Sequence, residues 1–511
     1  MSWKKFVDNI YNWLGTKQFY VFILAFFAFE AIWIACSAVY PQAFDESFHF
    51  GLIQLYSHYW LPFLNKQPAD TYIFGAVTRD PSYLYHYLMS FPYRLIAQFI
   101  HNQAYQVVIL RLLDIAMFLV GLVLSHRILI KICASQRMAN IILFIFILIP
   151  VVPLLAGQLN YDDLLFPLVG WVCLLSFQII DEIKAHKLRS SLLIKLLIIC
   201  LFASLVMYAF LPIFLGIVLY LMFLVIKTNR HKLKKFISSF INNLRKESAL
   251  TKIVLLIFLV ISFGMFMQRD GVNLIKYHDI SPDCIKVLPI QACSQYYVWE
   301  HDYASHQYVL SNPHSVSNNP LYYVAQWTYW MWYRSFFIVN GPDSSYINYP
   351  PLPLPAAGAI ILVLLSLGAM IKWRKKLIKH SPYIVFLLFI SGLYIVALFV
   401  DGYSAYRYTD VLELMNGRYL IPIILLVAAV AGSALSFSLH RVKPYKELII
   451  LLILFLFLNG GGFFTYISRS DDSWYWPNSA VQKVNHAAKK ITKPVIVKGN
   501  KTYDSSFWFF N

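Results

Sequence analysis

The run QFYVFILAFFAFEAIWIACSAVYP (residues 18–41) decides the fold, and AFDESFHFG (43–51), directly behind it, opens the question of function. About 20 apolar residues are needed to cross the hydrocarbon core of a bilayer, and the first stretch supplies them. It exceeds the roughly 7–15-residue core of a signal peptide, and WIAC before Cys36 makes a poor lipoprotein cleavage signal. The run therefore reads as a permanent anchor. Asp45, Glu46 and His49 stand where the chain should be leaving the membrane.

The same pattern recurs along the 511 residues, of which 59% are hydrophobic and 13% charged. Soluble domains carry about 25% charged residues, so the chain is predicted to be an integral membrane protein. Apolar runs fall near 19–39, 105–125, 139–158, 164–180, 191–209, 211–226, 253–268, 353–371, 382–400, 420–439 and 447–466. The expected fold is an all-α polytopic membrane protein with about eleven transmembrane helices. The net charge of +18 does not point to nucleic acid, because 25 of the 43 Lys and Arg residues crowd into six short segments: 1–18, 126–138, 181–190, 227–252, 372–379 and 441–447. Basic clusters beside alternate spans orient a chain with those segments in the cytosol. That places the N-terminus inside and the C-terminus outside. Residues 1–466 form the membrane domain, and 467–511 form a short extracytoplasmic segment too small for a core of its own.

Four outer regions are long enough to do work: the loops 41–104, 269–352 and 401–419 and the tail 467–511. DESFHFGLIQLYSHYWLPFL and PSYLYHYLMSFPYRLIAQFI in the first, and YVAQWTYWMWYRSFFIVNG (323–341) in the second, have the spacing and aromatic content of helices lying in the interface. KPVIVKG (493–499) reads as a short strand. Cys284 and Cys293, in CIKVLPIQAC, are a disulfide candidate in the oxidising compartment, the alternative being two free loop thiols.

Acids in this topology fall repeatedly at the outer boundary: Asp45 and Glu46 after the first span, Asp162 and Asp163 in GQLNYDDLLF, and Asp401 and Glu413 around the third loop. Arg418 follows in VLELMNGRYLIP. Carboxylates at a low-dielectric edge make good proton acceptors, and a guanidinium is a fixed partner for phosphate. Each has a plainer reading. Asp45 and Glu46 suit a helix N-terminus, Asp162 and Asp163 suit a cap, and Arg418 suits an interfacial anchor. Asp45 and His49 are spaced to share a metal, but no third ligand is apparent. Arg111 and Asp114, three apart within a span, are expected to pair with each other.

Together FDESFHFGLI, RDPSYLYHYL (79–88), NYDDLLF and NGRYLIPIILL (416–426) resemble motifs of the GT-C superfamily of membrane glycosyltransferases, in order along most of the chain. RDPSYL lacks the double proline often seen there, and no Trp-Trp-Asp block is present. The resemblance implies transfer of a sugar from a polyprenyl-phosphate donor to a glycan, lipid or protein acceptor at the outer face of a bacterial plasma membrane. It implies Asp45 as general base and Glu46 with Asp162 or Asp163 orienting the site. Arg418, helped by Arg79, would hold the phosphate, with His49, Tyr419 and Arg111 in support. No cofactor is required by these motifs, and metal dependence stays open, a divalent ion being the candidate. The rival class is a transporter or flippase of lipid-linked sugars, against which stands the absence of internal repeats and the crowding of acids at one face.

Overall fold

The computed structural model describes residues 2–64, 66–133, 135–230, 243, 247–313, 319–336, 353–458, 466–467, 470 and 472–496. Among them no β-strand occurs, only one antiparallel bridge between Ala38 and Tyr475. Seven helices are long and apolar enough to cross a membrane: Lys17–Ser37, Gln103–Ile132, Asp162–Lys184, Tyr208–Asn229, Ala249–Tyr277, Ile384–Thr409 and Gly417–Leu439. The chain is therefore an α-helical protein of membrane-spanning character.

Polar side chains set several helix starts by satisfying free backbone N–H groups. Thr16 Oγ1 accepts from the Phe19 N–H at 3.2 Å, Asn102 Oδ1 from Ala104 at 2.9 Å, and Ser248 Oγ from Thr251 at 3.1 Å. The run at 139–158 is not one helix. It divides into Gln136–Ile147 and Val151–Ala156 on either side of Pro150, because proline lacks an N–H and crowds the carbonyl four residues back. Ser190–Val206 stops at 17 residues. The runs at 353–371 and 447–466 carry the helices Pro353–His380 and Tyr445–Leu458, each adjoining residues outside those described.

The connections segregate to two ends. At one end the basic segments meet: Lys446 pairs with Asp8, Arg137 lies over the Tyr11 ring, and Asn140 donates to the Leu14 and Thr16 carbonyls. At the other, Arg418 reaches the Phe44 carbonyl and Arg269 the Val77 carbonyl. His301 meets Glu413 there as well. This second end carries Asp45, Glu46 and Glu413.

At this second end, Glu46–Ser57 and Leu84–Phe99 pack together. The second of these exposes Leu88, Phe91, Leu95 and Phe99, an apolar stripe at helical spacing that suits a helix lying along a lipid surface. Pro320–Phe336 accounts for most of 323–341, with 337–341 outside the described residues. The loops begin later than expected, since the helices Ala249–Tyr277 and Ile384–Thr409 carry past residues 269 and 401. The strand expected at 493–499 is corrected. Residues 493–496 complete the helix Ser479–Ile496, and 497–499 lie outside those described. Its Ala, Lys and Gln residues favour helix, and docking on the first span rewards it: Trp33 Nε1 donates to Asn485 Oδ1 at 3.2 Å. Cys284 and Cys293 are disulfide-bonded, with their Cα atoms 5.8 Å apart.

Candidate functional site

The chain leaves the first span through Phe44 and Asp45, both in the left-handed backbone region at φ 53° and 64°. For residues with a Cβ this conformation is costly and persists only where surroundings enforce it. Asp45 is the cap residue of the helix Glu46–Ser57, yet its side chain accepts no cap hydrogen bond. It turns instead to Arg418, whose Nη2 donates to Asp45 Oδ2 at 2.8 Å. Arg418 Nη1 donates to the Phe44 carbonyl at 2.8 Å, so one guanidinium grips the whole turn. The Arg418 side chain is 6% exposed and that of Asp45 63% exposed, which leaves the pair open from the carboxylate side.

Sequence position alone makes Glu46 a twin of Asp45; the structure separates them. Glu46 points inward, fully buried, and receives Arg111 Nε and Nη2 at 2.7 Å each. Its oxygens also accept the backbone N–H groups of Gln42 at 2.8 Å and Leu159 at 3.0 Å. Arg111 further donates to the carbonyls of Ala35, Ala38 and Val39. The expected Arg111–Asp114 pair is thus corrected: Asp114 accepts from Tyr85 Oη at 2.7 Å instead. Five acceptors at the end of the first span outcompete one carboxylate a turn away.

Asp162 and Asp163 are buried in the first turn of their helix, and none of their four carboxylate oxygens has a hydrogen-bond partner among the described residues. The capping reading falls, because Asn160 Oδ1 accepts the Asp162 N–H at 3.0 Å. Buried polar groups without partners call for an explanation, such as a ligand or water. Tyr161 reports how close these groups lie. Burial raises its phenol, Arg418 opposes the rise, and Tyr419, Asp162 and Asp45 add to it. Tyr85 is likewise raised by burial and then by Asp114, Asp163 and Glu46. Asp45, Arg418, Tyr419, Tyr161 and Asp162 thus interact around one tyrosine, and Glu46, Asp114, Tyr85 and Asp163 around another, with Arg111 bound to Glu46.

His49 is buried and faces another histidine. Its Nδ1 lies 2.8 Å from His86 Nε2, the rings stacked 5.1 Å apart, with the Tyr161 ring edge-on at 4.8 Å. Burial holds both imidazoles well below their usual range, and His49 depresses His86 further. Arg79 does not join Arg418. Its Nη1 reaches the Gln268 carbonyl at 3.4 Å, and its own carbonyl accepts from Asn273. The large loop contributes Tyr296, stacked on Phe48 at 6.2 Å and raised by burial and then by Asp80, Asp45 and Asp302.

Tyr161, Tyr296 and His86 were not singled out from sequence. PSYLYHYL carries the signal for His86, a lone histidine among aromatic residues. Nothing local marks Tyr296. No family model, curated protein or solved structure matches the chain.

Proposed function

We propose that the protein is a membrane glycosyltransferase of GT-C type. It would transfer a sugar from a polyprenyl-phosphate donor to an acceptor hydroxyl at the outer face of the membrane. The observation carrying this reading is the Asp45–Arg418 pair on its left-handed turn. A carboxylate open to one side is held by a nearly buried guanidinium, at the end of a span where a lipid phosphate can arrive.

In this mechanism the donor phosphate competes with Asp45 for Arg418 Nη2. Its arrival frees the carboxylate, which accepts the proton of the acceptor hydroxyl as that oxygen bonds to the anomeric carbon. The bond from that carbon to the phosphate oxygen breaks, and Arg418 neutralises the departing phosphate. Attack opposite the leaving group inverts the anomeric centre. Asp162 is the second carboxylate within reach of the charge change. Glu46 acts through Arg111 by holding the turn, so it is a positioning residue.

Asp45→Asn keeps the shape and removes the base. Transfer by purified protein in nanodiscs should fall about 10²–10⁴-fold while donor binding survives. Arg418→Lys keeps the charge and loses the planar fork, so donor affinity and turnover should both drop. Near-normal turnover in Asp45→Asn, or Lys serving as well as Arg, would overturn the assignment.

A further inference from the structure

His301, Asp302 and Glu413 offer one ligand atom each, all lying within 4.8 Å of one another. They come from two segments, the helix Tyr297–Ser311 and the stretch 410–416 that leads into Arg418. His301 Nδ1 faces both carboxylates, 3.3 Å from Asp302 Oδ1 and 3.6 Å from Glu413 Oε1. A tetrahedral ion with bonds of about 2.0–2.2 Å spaces its ligand atoms roughly 3.3–3.6 Å apart. Glu413 Oε1 is shielded from solvent and accepts no hydrogen bond, and no Lys or Arg pairs with either carboxylate among the described residues. Two carboxylates meeting there lack a fixed counter-charge.

We infer that His301, Asp302 and Glu413 form a divalent-cation site that joins the large loop to the segment delivering Arg418. One imidazole with two carboxylates suits zinc or manganese; magnesium and calcium prefer all-oxygen ligands. The ion would supply the missing positive charge and fix residues 410–416 from one side. The other side is already held: Arg334 donates to the Met415 carbonyl at 3.1 Å, and Gly417 lies so close to Ser335 that a Cβ would meet its backbone nitrogen at 2.2 Å. The ion would thus position Arg418 without touching it.

The test uses the full-length protein in nanodiscs, stripped with chelator and titrated with zinc chloride or manganese chloride. Metal content and the Mn²⁺ electron paramagnetic resonance signal are read without substrate, so the outcome is separate from that of the transferase proposal. Wild type should retain about one zinc per chain. His301→Ala, Asp302→Asn and Glu413→Gln, all at solvent-reachable positions, should each weaken binding on the order of tenfold or more. No uptake by stripped wild type, or unchanged affinity in all three variants, overturns the site.

Discussion

Two neighbouring acids, Asp45 and Glu46, each hold an arginine at 2.7–2.8 Å, and the likeness ends there. Glu46–Arg111 is sealed, with both side chains 0% exposed and further acceptors and donors saturating them. Asp45–Arg418 is open on one side. A sealed pair has already paid for desolvation and cannot release a partner without leaving a bare charge. An open pair exchanges partners with whatever arrives. One helix start thus supplies a fixed brace and an exchangeable contact in consecutive residues.

The largest expected effect tests the brace. Arg111→Met leaves the Glu46 carboxylate buried without its cation, a change that costs about 3–5 kcal/mol where such pairs have been broken. Folded yield and thermal midpoint in nanodiscs should both drop sharply. Joint replacement of Glu46 and Arg111 by Leu should recover part of the loss, because no lone charge remains. An Arg111→Met protein as stable as wild type would erase the distinction between the two pairs.

An intermediate effect follows from the buried histidine pair. The folded state holds His49 and His86 neutral, well below the usual imidazole range, while the unfolded chain takes up protons near pH 6.5. Below that value the unfolded state binds more protons, so stability is full above about pH 6.5 and is lost as pH falls toward the folded values. Thermal midpoints measured at stepwise lower pH should decline, and His86→Gln should flatten the decline. An unchanged slope in that variant would place the acid sensitivity elsewhere. The groups packed against the pair include Tyr161, Tyr85 and Phe48, and no carboxylate pairs with either imidazole among the described residues. Arg418 acts on His49 in the same direction as burial.

Much of the helical pattern is legible in the chain because hydropathy is local. Each apolar run carries a helix, and among the described residues Pro150 splits one of them. Asp45 and Arg418 are legible for the same reason, since each stands beside the end of its span. Their contact is not: 373 positions separate them in sequence. Arg111 shows the opposite failure. Asp114 is the nearer acid along the helix, but a guanidinium follows the densest set of acceptors, and those come from the end of another span. KPVIVKG reads as a strand because it is short and β-branched, while the helix Ser479–Ile496 that takes in its first residues docks through Asn485 on Trp33, far upstream.

The smallest expected effect belongs to the open pair and completes the comparison. Asp45→Asn removes the carboxylate charge from a side chain that water already reaches. Arg418 keeps the Phe44 carbonyl on Nη1, and the open side lets solvent replace Asp45 on Nη2. The amide oxygen of asparagine can still accept from Nη2, so the thermal midpoint should move far less than in Arg111→Met. The left-handed turn should persist, because asparagine tolerates that conformation as well as aspartate does. Raising ionic strength should narrow even this difference, whereas salt should leave the Arg111→Met deficit in place, since a sealed charge is poorly screened. The measurement is the midpoint of wild type and both variants at low and high salt in one lipid composition. If Asp45→Asn unfolds as readily as Arg111→Met, the outer pair is a second brace. The exchangeable contact on which the transfer mechanism depends would then be lost.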